Sequence, residues 1–223
     1  MKVIFEIEDC PSDLNYPISY WIVSSNGIKK GPFCMNEGQL VEFLMTKSEG
    51  LEHSIISSPI LPENVLRYEK TAGQHIITIV VEKQSFFIRY GNKEPVELPF
   101  PKMVVKYRLL EVQGGYRVTQ IKVAAVSSSE KLTDDTQLHY FPFTNVCKED
   151  HVVCWGENEK ANIKDFSELE QVFKWFIASP FGEDYGCRTT HGIALLVTLM
   201  ERIQGKEFDD SWLVPAPFSL SKW

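Results

Sequence analysis

Between residues 75 and 126 the sequence runs "HIITIVVEK" (His75–Lys83), "SFFIRYG" (Ser85–Gly91), "KMVVKYRLLEV" (Lys102–Val112) and "YRVTQIKVAAV" (Tyr116–Val126). Each run is rich in β-branched or aromatic residues, the side chains that fit a pleated, half-buried surface. The intervening pieces, such as "NKEPVELPFP" and "QGG", carry turn residues and are too short for the crossover that parallel neighbours require. The block therefore predicts an antiparallel meander.

Upstream, "VIFEIED" alternates like a strand, and "SYWIVSSNGIKKGPF" reads as strand, Asn26-Gly27 turn, strand, a strong hairpin signal. "MNEGQLVEFLMTK" follows, with Asn36 placed to cap a helix and Leu40, Phe43 and Leu44 at helical spacing. The proline-punctuated "SSPILPENVL" suggests a boundary, separating a hairpin-and-helix extension over 1–70 from a main domain over 71–223.

Downstream, "SSSEKLTDDTQ" is polar and is expected to form a mobile loop. "DFSELEQVFKWFIAS" places Leu169, Val172, Phe173 and Phe176 on one helical stripe, capped by Asp165 or Ser167. "THGIALLVTLMERIQG" predicts a second helix ending at Gly205. Strands followed by segregated helices make the fold class α+β.

The chain has 223 residues and a net charge of -7. It is long enough for a real core without disulfide or metal staples. The acidic balance, with basic residues scattered, argues against nucleic acid as a partner, because phosphate binding needs a basic face. No signal peptide is expected from "MKVIFEIED", where acids arrive at once. No apolar run reaches membrane-spanning length. The five cysteines are irregularly spaced without a CxxC pair, so neither a zinc knuckle nor a redox pair is implied. A reducing cytoplasmic setting, in which free thiols persist, fits best.

Chemistry concentrates in "FPFTNVCKEDHVVCWG" (Phe141–Gly156). Free cysteines are usually packing, and Cys10, Cys34, Cys147 and Cys187 keep that reading. Cys154 ends a short apolar run before Trp155-Gly156, where it could be packed or could face outward as a nucleophile. Asn145 could donate to a developing oxyanion, or could close a turn through its own backbone bonds. His151 lies in the polar "KEDH" stretch and is expected to be solvated. No HExxH, P-loop, GxGxxG or GxSxG spacing occurs, and no metal or organic cofactor is implied.

"PFTNVCKEDHVVCWG" and the later "WFIASPF" (Trp175–Phe181), with "GPFCMNEGQLVEFL" and "ILPENVL" upstream, resemble the prokaryotic ubiquitin-conjugating-enzyme-like family D, the type of protein B in PRTRC systems. The resemblance implies a bacterial transferase with a ubiquitin-conjugating-enzyme-like fold over 71–223. It implies that Cys154 accepts the C-terminus of a ubiquitin-like modifier as a thioester, with Asn145 supporting the loop or the oxyanion. An adenylating activating enzyme would load the modifier, and an amine would receive it. Two other classes stay open: an inactive, conjugating-enzyme-like interaction module with Cys154 packed, and a cysteine hydrolase with a histidine from elsewhere in the fold.

Overall fold

The computed structural model describes residues 2–7, 15–47, 58–71, 73–155 and 161–223. Cys10, His53 and Gly156 therefore lie outside the described residues. The chain divides into two compact units, Met1–Ser57 and Ser58–Trp223.

In the first unit, β1 (Lys2–Ile7), β2 (Ile18–Val23) and β3 (Lys29–Met35) form an antiparallel sheet in that order. The β2–β3 turn is the expected one. Gly27 takes a φ of 83°, which only glycine adopts without strain, and its N–H reaches the Ser24 carbonyl at 3.0 Å. Helix α1 (Glu37–Lys47) starts at a reciprocal cap. The Gln39 N–H donates to Asn36 Oδ1 at 2.8 Å, and the Asn36 N–H donates to Gln39 Oε1 at 3.0 Å. Phe43 meets the edge of Phe5 at 5.6 Å between ring centres.

The second unit is built on a seven-stranded sheet. Its backbone is β4 (Val65–Thr71), β5 (Gln74–Val81), β8 (Met103–Val112) and β9 (Gly115–Ala125), all antiparallel neighbours. β10 (Gln137–His139) and β13 (Pro215–Ser219) extend it beyond β9, and the two-residue β11 (Asn162–Ile163) also pairs with β9. Between β5 and β8, β6 (Gln84–Tyr90) and β7 (Val96–Phe100) leave to form a hairpin of their own. The expected four-strand meander is therefore interrupted, and β5 pairs with β8 rather than β6. The proline content of "VELPF" and "PAPFS" hides two strands from the sequence. Both lie at sheet edges, where the missing proline N–H costs no ladder bond. A boundary after residue 70 would fall inside β4.

Helix α2 (Leu169–Ala178) packs on this sheet. The expected stripe is its buried face: Leu169, Val172, Phe173 and Phe176 are all buried. Asp165 caps the short 3-10 turn before it, accepting from the Ser167 N–H at 2.9 Å. Tyr107, fully buried on β8, donates its hydroxyl to the Leu169 carbonyl at 2.9 Å. On the opposite side of the sheet Val104, Ala124 and Val126 are covered by Leu138 and Leu220.

The C-terminal helix is shorter than its periodicity suggests. α3 spans Leu196–Ile203, because a turn at Thr189–Gly192 precedes it, with Gly192 at a φ of 68°. The polar 127–137 segment, expected to be mobile, is tied down instead. The Ser128 N–H donates to Asp210 Oδ2 at 2.6 Å, and the Leu220 N–H to the Thr136 carbonyl at 3.0 Å.

Candidate active site

The loop that bears Cys154 starts from two aromatic anchors. Phe141 and Phe143 are buried, and Phe143 stacks on Phe100 of β7 at 4.2 Å between centroids. The aromatic-proline-aromatic spelling is thus a pair of core pegs, from which the next residues run out to β9.

From Asn145 the chain doubles back on itself. Val146 and Val153 form an antiparallel bridge and are both buried. The Cys147 N–H donates to the Val152 carbonyl, and the Cys154 N–H to the Asn145 carbonyl at 2.8 Å. The returning arm is clamped to β9, since the Val153 N–H reaches Ile121 O and the Val123 N–H reaches His151 O. Cys154 follows the inward-facing Val153 and is half-buried. It sits beside Asn145 on a base fixed by main-chain bonds. Trp155, also half-buried, meets the edge of Phe176 at 6.4 Å.

Asn145 is buried and left-handed, with a φ of 65°. Asparagine tolerates that region better than other side-chain-bearing residues. Its amide is engaged at both ends: Nδ2 donates to the Pro180 carbonyl at 3.0 Å and Oδ1 accepts from the Gly182 N–H at 3.3 Å. Its main-chain N–H adds a bond to Asp184 O at 3.2 Å. Asn145 therefore stitches the cysteine loop to the segment after α2. That segment opens with β12 (Pro180–Phe181), which pairs parallel with the end of β6.

The same segment folds over the cysteine loop. Glu183 fixes it twice, accepting from the Tyr90 hydroxyl at 2.9 Å and from the Leu196 N–H at the start of α3 at 3.1 Å. Tyr185 follows with a φ of 66° and 45% exposure. Its phenol is held above the usual range chiefly by the neighbouring Cys154 sulfur, then by burial, with Cys147 adding to the effect. The hydroxyl has no hydrogen-bond partner among the described residues. Tyr185 carries no motif, and its left-handed backbone was the signal the sequence could not display.

The other thiols fall into different environments. Cys147 Sγ donates to Glu149 Oε2 at 2.9 Å, and that bond, with burial, pushes its thiol up. Burial pushes Cys187 up to about 12. Cys34 is exposed on β3. Cys34 is thus not the packed residue expected, whereas Cys187 is buried and Cys147 half-buried.

His151 is not solvated. It is 1% exposed, stacked on Tyr140 at 5.2 Å and edged by Phe218 at 4.9 Å. Its position behind the turn, with a φ of 63°, turns the imidazole inward to bond the Val123 carbonyl through Nδ1 at 3.3 Å. Burial lowers its pKa. His139 is lowered for the same reason. Among the described residues no histidine is hydrogen-bonded to Cys154. Trp175, on the other face of α2, is 44% exposed.

Among the described residues no group of three or more His, Cys, Asp or Glu side chains could hold a metal. None of the described helices is long and apolar enough to cross a membrane. The family model for prokaryotic E2 family D matches residues 40–216, most of the chain. No curated protein and no solved structure matches it.

Proposed function

Because the chain belongs to prokaryotic E2 family D, we propose that it carries a ubiquitin-like modifier as a thioester on Cys154 and passes it to an amine. The observation that supports this most is the placement of Cys154: half-buried, at the end of a bridge whose inner residues are buried, and fixed by its own N–H. A cysteine suits the task because its thiolate is a strong nucleophile near neutral pH and a competent leaving group. Asn145, with its amide engaged on both sides, holds the loop in shape. Its partners are then the modifier and the adenylating activating enzyme that supplies it, in the bacterial cytoplasm. The fold over the second unit is read as the ubiquitin-conjugating-enzyme type, with the first unit as its extension.

The test is a loading assay with the cognate activating enzyme and modifier. Wild-type protein forms an adduct that a thiol reductant cleaves. Cys154→Ser forms only an oxygen ester that resists the reductant, whereas Cys147→Ser loads normally, because Glu149 holds that thiol protonated. A reducible adduct on Cys154→Ser would move the acceptor to another cysteine and defeat the assignment.

A further inference from the structure

The transfer step needs a donor for the oxygen that becomes negative when an amine attacks the thioester. Asn145 is the obvious candidate in the sequence, but its amide already bonds Pro180 and Gly182. The next residue across the site is different in every respect. Tyr185 stands one position past Asp184, whose carbonyl accepts the Asn145 N–H, while the Asn145 carbonyl accepts the Cys154 N–H. Three short segments are thus laced side by side, with Cys154 on one outer segment and Tyr185 on the other. The Tyr185 ring is partly exposed, and its hydroxyl is unengaged among the described residues.

The backbone that presents this ring is costly to hold. Tyr185 and Gly186 are consecutive left-handed residues, at φ of 66° and 61°. A non-glycine residue in that region costs on the order of 1 kcal/mol or more, and persists where its surroundings over-determine it. Here they do. The Gly186 N–H bonds the Glu183 carbonyl, and the Glu183 side chain is held by both Tyr90 and Leu196. Gly186 has little room for a side chain, because a Cβ would meet the Ala194 carbonyl at 3.3 Å and Lys148 Nζ at 3.6 Å. Cys154 is also the largest influence on the phenol, raising its pKa, which agrees with the lacing of the two segments through Asn145.

Resting on the thioester reading above, we infer that Tyr185 is a catalytic residue of the transfer step, its hydroxyl donating a hydrogen bond to the thioester oxygen as an amine attacks. In that step the amine nitrogen bonds the acyl carbon, and the carbonyl electron pair moves onto oxygen, where the Tyr185 O–H meets it. On collapse the carbon–sulfur bond breaks, Cys154 leaves as thiolate, the amide forms and the nitrogen yields its proton to water. Tyr185 gives up no proton and is unchanged at the end.

The experiment uses the full chain and needs neither modifier nor activating enzyme. Cys154 is acylated by exchange with a small glycyl thioester, acylation of each cysteine is mapped by peptide mass, and aminolysis by free lysine is followed in a single turnover. Wild-type protein discharges acyl-Cys154 faster than its own urea-unfolded chain does. Tyr185→Phe, which keeps the ring and its backbone, lowers the rate at saturating lysine on the order of a hundredfold, with KM for lysine and the melting temperature unchanged. Tyr185→Asn, suited to the left-handed backbone but too short to carry a donor to the phenol's position, stays as slow as Tyr185→Phe. Equal discharge by wild type and Tyr185→Phe would overturn the inference, as would a folded protein no faster than the unfolded one. A slow Tyr185→Phe in this assay, alongside failure of the wild type to load a modifier, would leave Tyr185 in its role and remove only the modifier reading.

Discussion

A left-handed asparagine and a buried histidine precede the thiol in its loop, and each has a measurable consequence. Replacing Asn145 by Ala removes the bonds to Pro180 and Gly182 and leaves a poorly suited residue at a φ of 65°. Two lost hydrogen bonds and the backbone strain together cost about 2–3 kcal/mol. Asn145→Gly relieves the strain and recovers about 1 kcal/mol of it. Chemical denaturation of the two variants checks the difference. If Asn145 acts only by holding the loop, loading and discharge fall by the same factor in Asn145→Ala. His151 makes stability depend on pH. Burial favours its neutral form, so its folded pKa lies below the unfolded value of about 6.5. Below that value the unfolded chain binds the proton more tightly, so the stability present above it is lost as pH falls toward the folded pKa. The charges that bear on the ring, Lys122 and Asp150, pull in opposite directions. Melting curves from pH 8 to pH 5 should therefore show a decline that is shallower in His151→Asn, a residue suited to the left-handed backbone. His139, lowered in the same sense, adds to the slope.

Helix α2 is held mainly by its apolar stripe. Phe176, fully buried between Phe141, Phe173 and Phe181, should cost about 3–5 kcal/mol as Phe176→Ala. Tyr107→Phe, which removes only the bond to the Leu169 carbonyl, should cost about 1 kcal/mol. Urea melts of the pair rank packing against hydrogen bonding at this contact, and the reverse order would show the helix anchored by its polar tie. The stripe itself was readable because a 3.6-residue period survives any tertiary arrangement that buries one face. Asn36 and the Asn26-Gly27 turn were readable for a similar reason, since caps and tight turns are decided within a few residues. β7 and β13 were not, because proline weakens strand propensity and only an edge position rescues it. His151 failed differently: "KEDH" looks polar, and only packing of Tyr140 and Phe218 from remote segments shows that its last residue is core. The site divides along the same line. Cys154 and Asn145 stand out in a compact stretch of sequence, whereas Tyr185 lies 31 positions past Cys154 by residue number, and a half-turn of backbone places it.

At the level of the whole chain, the two compact units divide at Ser57 and Ser58. A protein starting at Ser58 keeps all seven strands of the large sheet and should unfold in one cooperative transition. One starting at Gly73 lacks β4, whose residues pair with β5 from Val65 to Thr71, and exposes the β5 edge. It should melt earlier or aggregate, as an uncovered edge invites pairing with other chains. Circular dichroism and light scattering on the two truncations distinguish these outcomes, and equal behaviour would show β4 to be dispensable. The main-chain lacing of Asp184, Asn145 and Cys154 has its own consequence for how this molecule can change over generations. Because main-chain bonds set the register of the arm that ends at Cys154, point substitutions other than at Asn145 leave that register intact. Loss of a single codon within 148–150 acts otherwise. The returning arm slips by one residue against β9, the alternation reverses, and the sulfur takes the inward place that Val153 holds. Length in that short turn, more than spelling, is what descent must preserve.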